Sequence, residues 1–303
     1  MFLFSKDQEV YDIAGAKIGG QPGQYPTVLV GSVFYDGHNV VEDDDKGVFD
    51  EEKADEQIKK VEELSESTGN PAMLDVVGGS SESLINYIDF IADVTDLPFL
   101  IDGTTADIRI EATEYVKDRG LADRAVYNAI TVDCREEEIE LIKKADIKSA
   151  VLLCYNAKKP TIDGRMESFE KVLDYASDAE IEKPLVDPSI IDLPDPGPAS
   201  RTISKIKEGY GLPCGCGAHN SVDQWRERVE MSPEMYKLRT AVTNSFPITM
   251  GADFSLYGPI EDAEEAFAAC SLVDAFVGYS MKMEEGLGPE SKDHPLYKIF
   301  RPS

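Results

Sequence analysis

Apolar and polar positions alternate along the chain in two distinct periods. Short runs rich in Val, Ile and Leu have the length of buried strands, and the stretches between them carry apolar side chains at every third or fourth position, which is typical of amphipathic helices. We predict strands at residues 27–34, 72–77, 98–101, 125–130, 149–155, 184–186, 212–217 and 253–257. We predict the helices that follow them at residues 50–68, 81–94, 106–119, 135–144, 166–176, 199–208, 234–243 and 261–283, with Ser81 as the N-cap of the second.

This regular alternation predicts an α/β protein built as a single (β/α)8 TIM barrel, because parallel strands need helical crossovers and eight such units close into a barrel. Residues 1–26, with glycines among alternating apolar positions, are predicted to form an N-terminal β-hairpin extension, and residues 27–303 the barrel. A doubly wound open sheet is the alternative. It would normally carry a glycine fingerprint after its first strand, and the glycine-rich run at residues 17–23 does not fit one.

The charge narrows the classes of function. Thirty basic residues against 58 acidic ones give a net charge of −28, and such a surface repels phosphate backbones, so we expect no nucleic-acid partner. A solvated acidic surface suited to a salty cytoplasm is one interpretation, and a basic partner docked on an acidic face is the other. The acidic residues concentrate in helix-like segments such as residues 50–66, which favours the first.

The apolar segments and the cysteines of the chain indicate its cellular compartment and whether it binds a metal. No apolar run approaches the roughly 18–20 residues that a transmembrane helix needs, and residues 1–10 lack the apolar segment of a signal peptide, so we expect a soluble, intracellular protein. Five cysteines, an odd number, indicate reduced thiols. Cys214 and Cys216 form a Cys-x-Cys pair, but no second pair has the usual zinc spacing, and we predict no bound metal.

Polar side chains recur where the predicted strands end. Asp or Asn stands at or just after six consecutive strands, and ordinary turn chemistry explains any single case but not the series. Loops after the strands build the active site of a β/α barrel, so these residues should form a ring around one mouth. Carboxylates and amides suit a flat heterocycle rich in N–H groups and would repel a phosphate. The ring consists of Asp75, Asp102, Asn128, Asn156, Asp187 and the adjacent pair His219 and Asn220.

The sequence lacks the motifs of other common enzyme classes. It contains no Gly-x-Ser-x-Gly elbow, no His-Glu-x-x-His pair and no P-loop. Only three histidines are present. His219 lies in the predicted mouth, either as a polar contact or in a packing role, whereas His38 is less informative and His294 is interpreted as structural.

Six segments of the chain resemble one known family, the H-type subunit of tetrahydromethanopterin S-methyltransferase, and the resemblance runs essentially from end to end. The family is related to barrel methyltransferases that bind methyltetrahydrofolate and to dihydropteroate synthase. The segments are GGQPG at residues 19–23, PTVLVGSVFY at 26–35, NYIDFIAD at 86–93, GAHN at 217–220, LYGPIEDA at 256–263 and DHPLYKIF at 293–300.

The resemblance implies a reaction and its partners. The N5-methyl group of methyl-tetrahydromethanopterin would move to a cob(I)amide carried by a separate corrinoid protein, and a membrane complex would then pass it to coenzyme M and pump sodium. The chain would be cytoplasmic, peripheral at the membrane through partner subunits, and a homodimer. Asn220 would act near N5 as the catalytic residue. By the resemblance, the pterin-binding residues would be Asp75, Asp102, Asn128, Asn156 and Asp187, and the position of His219 in the predicted mouth adds it to this set.

Three alternatives stay open at this stage. A paralogue could use another methyl donor or acceptor, but a quaternary amine prefers an aromatic cage, which the sole tryptophan, Trp225, cannot form alone. A dihydropteroate-synthase-like enzyme would need basic groups for a diphosphate, and the mouth motifs show none. A non-catalytic subunit of the membrane complex would not need the polar ring. The loops at residues 37–49 and 187–200 are candidates for mobile segments that admit a cobamide.

Overall fold

The computed structural model describes residues 3–300 of the chain. Its strands and helices alternate as the sequence pattern predicts. The strands are β1 (Val10–Ile13), β2 (Ala16–Gly19), β3 (Val28–Val33), β4 (Val41–Asp43), β5 (Val48–Phe49), β6 (Ala72–Gly78), β7 (Phe99–Gly103), β8 (Ala125–Ile130), β9 (Ser149–Leu153), β10 (Lys183–Asp187), β11 (Gly215–Cys216) and β12 (Phe254–Pro259). The helices are α1 (Glu51–Thr68), α2 (Ser81–Val94), α3 (Ala106–Asp118), α4 (Glu136–Ala145), α5 (Ile162–Asp178), α6 (Pro196–Tyr210), α7 (Asn220–Arg226), α8 (Pro233–Ser245), α9 (Ala263–Glu284) and α10 (Pro295–Lys298).

Eight of these strands form one parallel sheet in the order β10-β9-β8-β7-β6-β3-β12-β11. The two ends of the sheet meet where Val186 bridges Cys214 and the backbone N–H of Val186 donates to the carbonyl oxygen of Pro213 over 2.9 Å. The sheet therefore closes into a barrel, and the predicted (β/α)8 fold is confirmed.

Two local predictions need correction. The N-cap of α2 is Ser80 rather than Ser81, because the side chain of Ser80 accepts the backbone N–H of Ser83 over 3.0 Å and completes a capping box. The seventh strand is also shorter than predicted, and its connection contains α7 as well as α8. The glycine-rich sequence there pairs with β12 only at Gly215 and Cys216, and Asn220 already begins a helix.

The N-terminal hairpin closes the end of the barrel at which the parallel strands begin. Strands β1 and β2 pair antiparallel, and Ile13, Ala16 and Ile18 pack in one cluster with interior side chains of the barrel such as Val28 and Phe254. The division into an extension at 1–26 and a barrel at 27–303 remains a prediction, and residues 1–2 and 301–303 of those ranges lie outside the described part.

The barrel interior changes from apolar to polar along the strands. Val30, Met73, Leu100, Val126, Val151 and Leu185 form an apolar layer with the hairpin. Side chains alternate across a strand, so the residue two positions further on points to the same side. Those residues are Ser32, Asp75, Asp102, Asn128, Leu153 and Asp187. The carboxyl end of the barrel is consequently polar, while the opposite end is sealed by apolar packing.

A buried carboxylate ties the longest helix to the barrel. Asp274 of α9 accepts hydrogen bonds from the backbone N–H of Thr27 at 3.0 Å, the hydroxyl of Thr27 at 2.8 Å and the amide of Asn70 at 2.6 Å. Burial raises the pKa of Asp274 to about 7 although these donors lower it. Within residues 3–300, no helix is both long and apolar enough to cross a membrane.

Candidate functional site

The polar end of the barrel opens into a cavity of about 610 Å³. This volume lies within the usual range of small-molecule sites, roughly 300–1,000 Å³. The cavity is lined by side chains from the ends of the strands, from the following loops and from the starts of α3 and α7. The polar ones are Ser32, Tyr35, Asp75, Asp102, Thr104, Arg109, Asn128, Thr131, Asp187, His219, Asn220 and Asp223.

One wall is a cluster in which Asn128 lies between two carboxyl groups. Its amide nitrogen Nδ2 lies 3.2 Å from Oδ1 of Asp75 and 3.3 Å from Oδ2 of Asp102, while the hydroxyl of Ser32 donates to Oδ2 of Asp75 over 2.8 Å. Asp102 and Asn128 are register partners on β7 and β8. Parallel pairing of neighbouring strands thus places the amide where it can donate to both acids.

These two acids hold protons more tightly than exposed aspartates do. Burial raises the pKa of Asp75 to about 6, against the hydrogen bonds from Ser32 and Asn128. Burial and the neighbouring Asp75 raise the pKa of Asp102 well above its ordinary value, although Arg109 lowers it. Two acids this close do not both ionise easily, so the wall carries less negative charge at neutral pH than its residue types indicate.

Asp187 forms the opposite wall at the end of β10. Its Oδ1 accepts the backbone N–H of Ser189 over 2.7 Å, and the backbone N–H of Gly217 also bonds to it. Asp187 is only 6% exposed. Burial raises the pKa of Asp187 to about 7, against these donors and the charge of Arg165. A carboxyl that titrates near neutrality can accept hydrogen bonds from a ligand with only a small cost for ionisation.

His219 and Asn220 stand at the start of α7, on the rim of the same cavity. The Nδ2 atom of Asn220 lies 3.4 Å from the carbonyl oxygen of Ile190, which leaves its amide oxygen Oδ1 free to accept from a ligand. A Cβ at Gly217 would lie 3.2 Å from Nδ2 of Asn220, so the glycine gives this side chain its space. The predicted pair therefore does line the mouth.

The structure places Asn156 elsewhere. Its amide donates to the carbonyl oxygen of Gly164 over 3.2 Å and its Oδ1 accepts the backbone N–H of Lys159 over 2.9 Å. It faces a smaller surface pocket of about 320 Å³ instead. The expectation that all six strand-end residues share one cavity is wrong for Asn156, because β9 ends at Leu153 and it is Leu153 that points into the barrel.

Sequence reasoning missed one cation of the mouth. Arg109, on the first turn of α3, lines the cavity, so the expectation that the mouth lacks basic groups is wrong. Its guanidinium donates to the carbonyl oxygen of Gly103 at 2.9 Å, to the hydroxyl of Tyr127 at 3.1 Å and to Glu138 at 3.0 Å. The nearly buried Glu138 therefore balances its charge. No strand-end signal could have found Arg109, because it follows Asp102 by seven residues on a helix.

Asp223 and Tyr35 were also missed. Asp223 is the fourth carboxyl group of the cavity and follows His219 by one helical turn. Tyr35, just beyond β3, lines the mouth and donates its hydroxyl hydrogen to Glu261 over 3.1 Å. The spacing of His219 and Asp223 by four positions was a readable signal in the sequence, since such residues share one helix face.

The arrangement as a whole is rich in hydrogen-bond acceptors. Four carboxyl groups and two side-chain amides face the cavity, against one compensated cation. Within residues 3–300, no group of three His, Cys, Asp or Glu side chains is placed to hold a metal ion. The site suits a flat ligand that presents several N–H donors, and a highly charged phosphate would meet repulsion from these acids.

Comparisons with known proteins agree on a single family. The model of the family described as tetrahydromethanopterin S-methyltransferase MtrH subunit matches residues 6–290. Over 313 residues the chain is 40% identical to the H-type subunit of tetrahydromethanopterin S-methyltransferase from Methanothermobacter marburgensis, covering 99% of this chain and 100% of that protein. Over 289 residues it is 40% identical to a Methanosarcina mazei protein named as the H-type subunit of the mtx methyltransferase, covering 91% of this chain and 93% of that protein.

Solved structures show a likeness of fold. Dihydropteroate synthase of Xanthomonas albilineans, solved with 4-aminobenzoic acid, superposes with a TM-score of 0.62. The two sequences are 16% identical, and the match covers 88% of this chain and 98% of that one. At this identity the comparison supports the barrel architecture and carries no statement about substrate.

Proposed function

Because the chain belongs to the MtrH subunit family of tetrahydromethanopterin S-methyltransferase, we propose that it transfers the N5-methyl group of methyl-tetrahydromethanopterin to the cob(I)amide of a partner corrinoid protein. Membership of this family makes the chain a methyltransferase and confirms the resemblance found in the sequence. The observation that carries the proposal is the ring of Asp75, Asp102, Asn128 and Asp187 around one cavity. The donor, the acceptor and the residue roles are the proposal itself.

The ring of polar residues around the cavity matches the hydrogen-bonding edge of a reduced pterin. That edge carries a 2-amino group and an N3–H, which one carboxylate can accept as a parallel pair. We assign this role to Asp187, because its wall is separated from the Asp75 and Asp102 cluster and its carboxylate is held by the backbone N–H groups of Ser189 and Gly217. Asp102 and Asn128 would hold the remaining ring edge, and Asp75 would orient Asn128 through the bond at 3.2 Å.

The reaction requires help at the leaving nitrogen. A nucleophilic cob(I)amide attacks the methyl carbon, so the protein need not generate a nucleophile. The C–N5 bond breaks, and N5 can leave only if it gains a proton or a strong hydrogen bond. The free Oδ1 of Asn220 can accept a hydrogen bond from a protonated N5. This contact would exist only as N5 gains the proton, which stabilises the transition state more than the bound substrate.

The cobamide would arrive with its carrier rather than reside in this chain. The mouth lies at the carboxyl end of the barrel, where the loops that follow β7, β8 and β11 line it. We include in the proposal a corrinoid protein that docks over this mouth. A membrane methyltransferase complex, which the chain would join as a peripheral subunit, is also part of it. The relatives' name supports this assembly, because a protein named as one subunit of an enzyme implies further subunits.

A homodimer is a further part of the proposal. Along the outer face of α9, Leu272, Phe276, Tyr279 and Met283 recur at helical spacing, and Phe276, Tyr279 and Met283 are each more than half exposed. An uncharged apolar stripe is unusual on a chain with a net charge of −28, and it supports a protein contact. Sedimentation equilibrium of the wild type and of Phe276→Glu tests it, with a shift from dimer to monomer in the variant expected.

The second candidate is a paralogous methyltransferase with another donor or acceptor. The observation in its favour is the Methanosarcina mazei mtx relative, which is as similar in identity as the tetrahydromethanopterin enzyme of Methanothermobacter marburgensis. A dihydropteroate-synthase-like reaction is less suited to this site, because Arg109 is engaged by Glu138 and Tyr127 rather than free for a diphosphate.

The experiment mixes the purified chain with methyl-tetrahydromethanopterin and free cob(I)alamin and follows the cobalt spectrum. We expect the cob(I)alamin band to disappear at a rate proportional to protein concentration. Methyl-tetrahydrofolate and a quaternary amine, tested in parallel, distinguish the paralogue. No spectral change with any donor, from a protein that binds the pterin in a titration, would favour the non-catalytic subunit.

A further inference from the structure

His219 is held in one orientation by the barrel. Its Nδ1 lies 3.1 Å from the carbonyl oxygen of Leu256, and because a carbonyl can only accept, Nδ1 carries the hydrogen. A Cβ at Gly258 would lie 2.6 Å from Cδ2 of the ring, and Gly258 has a φ of 97° that side chains rarely adopt. This glycine therefore makes room for the imidazole. The other nitrogen, Nε2, therefore carries a hydrogen only when the imidazole is positively charged.

That second nitrogen faces a carboxylate of the same helix. Nε2 of His219 lies 3.9 Å from Oδ2 of Asp223, and both side chains line the cavity. The hydroxyl of Tyr236 donates to Oδ1 of Asp223 over 2.7 Å and fixes this carboxylate. The side chain of Asp223 is 39% exposed and that of His219 is 15% exposed. The pair therefore contacts both the cavity and the solvent.

The proposed function leaves one chemical requirement without a residue, namely the source of the N5 proton. Asn220 cannot supply it, because an amide does not ionise near neutral pH. Asp75 is an unsuitable source, since it is 4% exposed and both of its oxygens are engaged, by Ser32 and by Asn128. A donor must reach the cavity and must recover its proton from water after each turnover.

We propose that His219 is the general acid that protonates N5 of the pterin. Asp223 is the positioning residue that stabilises the protonated imidazole and helps it to regain a proton. This inference rests on the proposed methyl transfer. In the step, the proton on Nε2 passes to N5, the C–N5 bond breaks with its electron pair remaining on nitrogen, and the methyl carbon bonds to the cobalt of the cob(I)amide. The imidazole becomes neutral and regains a proton from solvent beside Asp223.

The charges around His219 set the direction of its pH dependence. Burial holds the pKa of His219 below its ordinary value, although Asp223 and the carbonyl oxygen of Leu256 raise it. From β12 it meets the backbone of Leu256 and Gly258, and Asp187 of β10 faces the same cavity. Beyond Asp223 lie Tyr236 of α8 and Asp262, whose pKa burial raises to about 6. The protonated fraction of His219 falls as pH rises, so the rate should fall on the alkaline side of its pKa.

The test is single-turnover methyl transfer to cob(I)alamin as a function of pH. We expect His219→Gln to lower the rate by roughly 10²–10⁴ and to remove the ionisation from the profile, with pterin affinity nearly unchanged. Added imidazole should restore part of the rate of His219→Ala, because it can enter the space left by the ring. His294→Asn is the matched control, since it removes another buried imidazole, one that does not line the cavity, and keeps an N-cap for α10.

A second measurement needs no turnover. Nitrogen NMR of the imidazole should show hydrogen on Nδ1 in the free protein, and Asp223→Asn should lower the pKa of His219 by removing a nearby negative charge. Wild-type rate and pH profile in a folded His219→Gln protein would overturn the proposal while leaving the methyl transfer intact. A wild-type protein that transfers no methyl group would instead overturn the proposed function and this inference together.

Discussion

The backbone N–H of Ser189 donates a hydrogen bond to Oδ1 of Asp187 over 2.7 Å, two residues along the same chain. This bond fixes the carboxylate at the end of β10, and the buried Arg165 holds the loop from outside through the carbonyl oxygens of Pro188 and Ser189. Asp187 is thus oriented before any ligand arrives. An oriented acceptor loses little freedom on binding, which favours affinity.

We expect Asp187→Asn to weaken pterin binding by about 1.5–3 kcal/mol, the range for hydrogen bonds to charged groups. The asparagine Oδ1 can still accept from Ser189, so the loop should keep its shape while the ligand loses its anionic acceptor. Isothermal titration of the folded variant measures the change. Asn156→Ala is the control, because Asn156 lies outside the cavity and its loss should leave affinity unchanged. Equal affinity of Asp187→Asn and wild type would reject the assignment.

The affinity for the pterin should rise with pH through about 7. Burial raises the pKa of Asp187 to about 7, so below that pH the free protein carries a carboxylic acid there, and binding the ligand's N–H groups must expel its proton. Above that pH the carboxylate is already present and affinity levels off. Titration in two buffers of different ionisation enthalpy should detect proton release at pH 6 and little at pH 8.5. The Asp187→Asn variant should lack this step, and its persistence would point to Asp75 instead.

Asn220→Ala should lower the rate of methyl transfer by roughly 10²–10⁴, the usual range for assistance to proton transfer. The amide oxygen would interact with N5 only as the nitrogen gains its proton, so pterin affinity should fall less than in Asp187→Asn. Single-turnover kinetics with cob(I)alamin separates the two effects. Asn220→Asp is an informative companion, since it keeps the acceptor oxygen. A near wild-type rate for Asn220→Ala would make Asn220 a turn residue only.

The contact between α9 and the start of β3 should be important for stability. Asp274→Ala would leave the backbone N–H and the hydroxyl of Thr27 without their acceptor, at about 1–3 kcal/mol for each buried donor left unpaired. The amide of Asn70 would keep its bond to the carbonyl oxygen of Thr27. Ser271→Ala on the same helix is the control, because the Ser271 hydroxyl bonds to the carbonyl oxygen of Ala268 within the helix itself. Urea unfolding of both variants gives the comparison, and equal midpoints would show that Asp274 contributes nothing.

The acidic surface should make stability depend on salt. A net charge of −28 repels itself, and added ions screen that repulsion, since the Debye length falls from about 10 Å at 0.1 M to 3 Å at 1 M. We expect the melting temperature to rise from low to molar potassium chloride. A steady fall over the same range would contradict the interpretation of the acidic surface as an adaptation to salt.

Much of the candidate site could be predicted from the sequence, because the direction of the strands determines which residues lie at the same mouth. Eight alternations of strand and helix predict a parallel barrel, and the ends of all parallel strands meet at one mouth. Asp75, Asp102, Asn128 and Asp187 each follow an interior apolar residue by two positions, so the period of the strand alone turns them inward. Asn156 was mispredicted because it stands three positions beyond Leu153, past the end of β9, where this period no longer applies.

The sequence by itself thus determined the barrel, the end at which the site lies and the strand-end acids that surround it, since local period and chain direction decide these features. Only the tertiary structure decided that Asn128 lies between Asp75 and Asp102, that Arg109 reaches the mouth already paired with Glu138, and that Gly258 and Leu256 fix the ring of His219. These contacts join residues from separate strands and helices. Their distances, and the pKa shifts that burial produces, depend on how the closed barrel packs rather than on any local pattern.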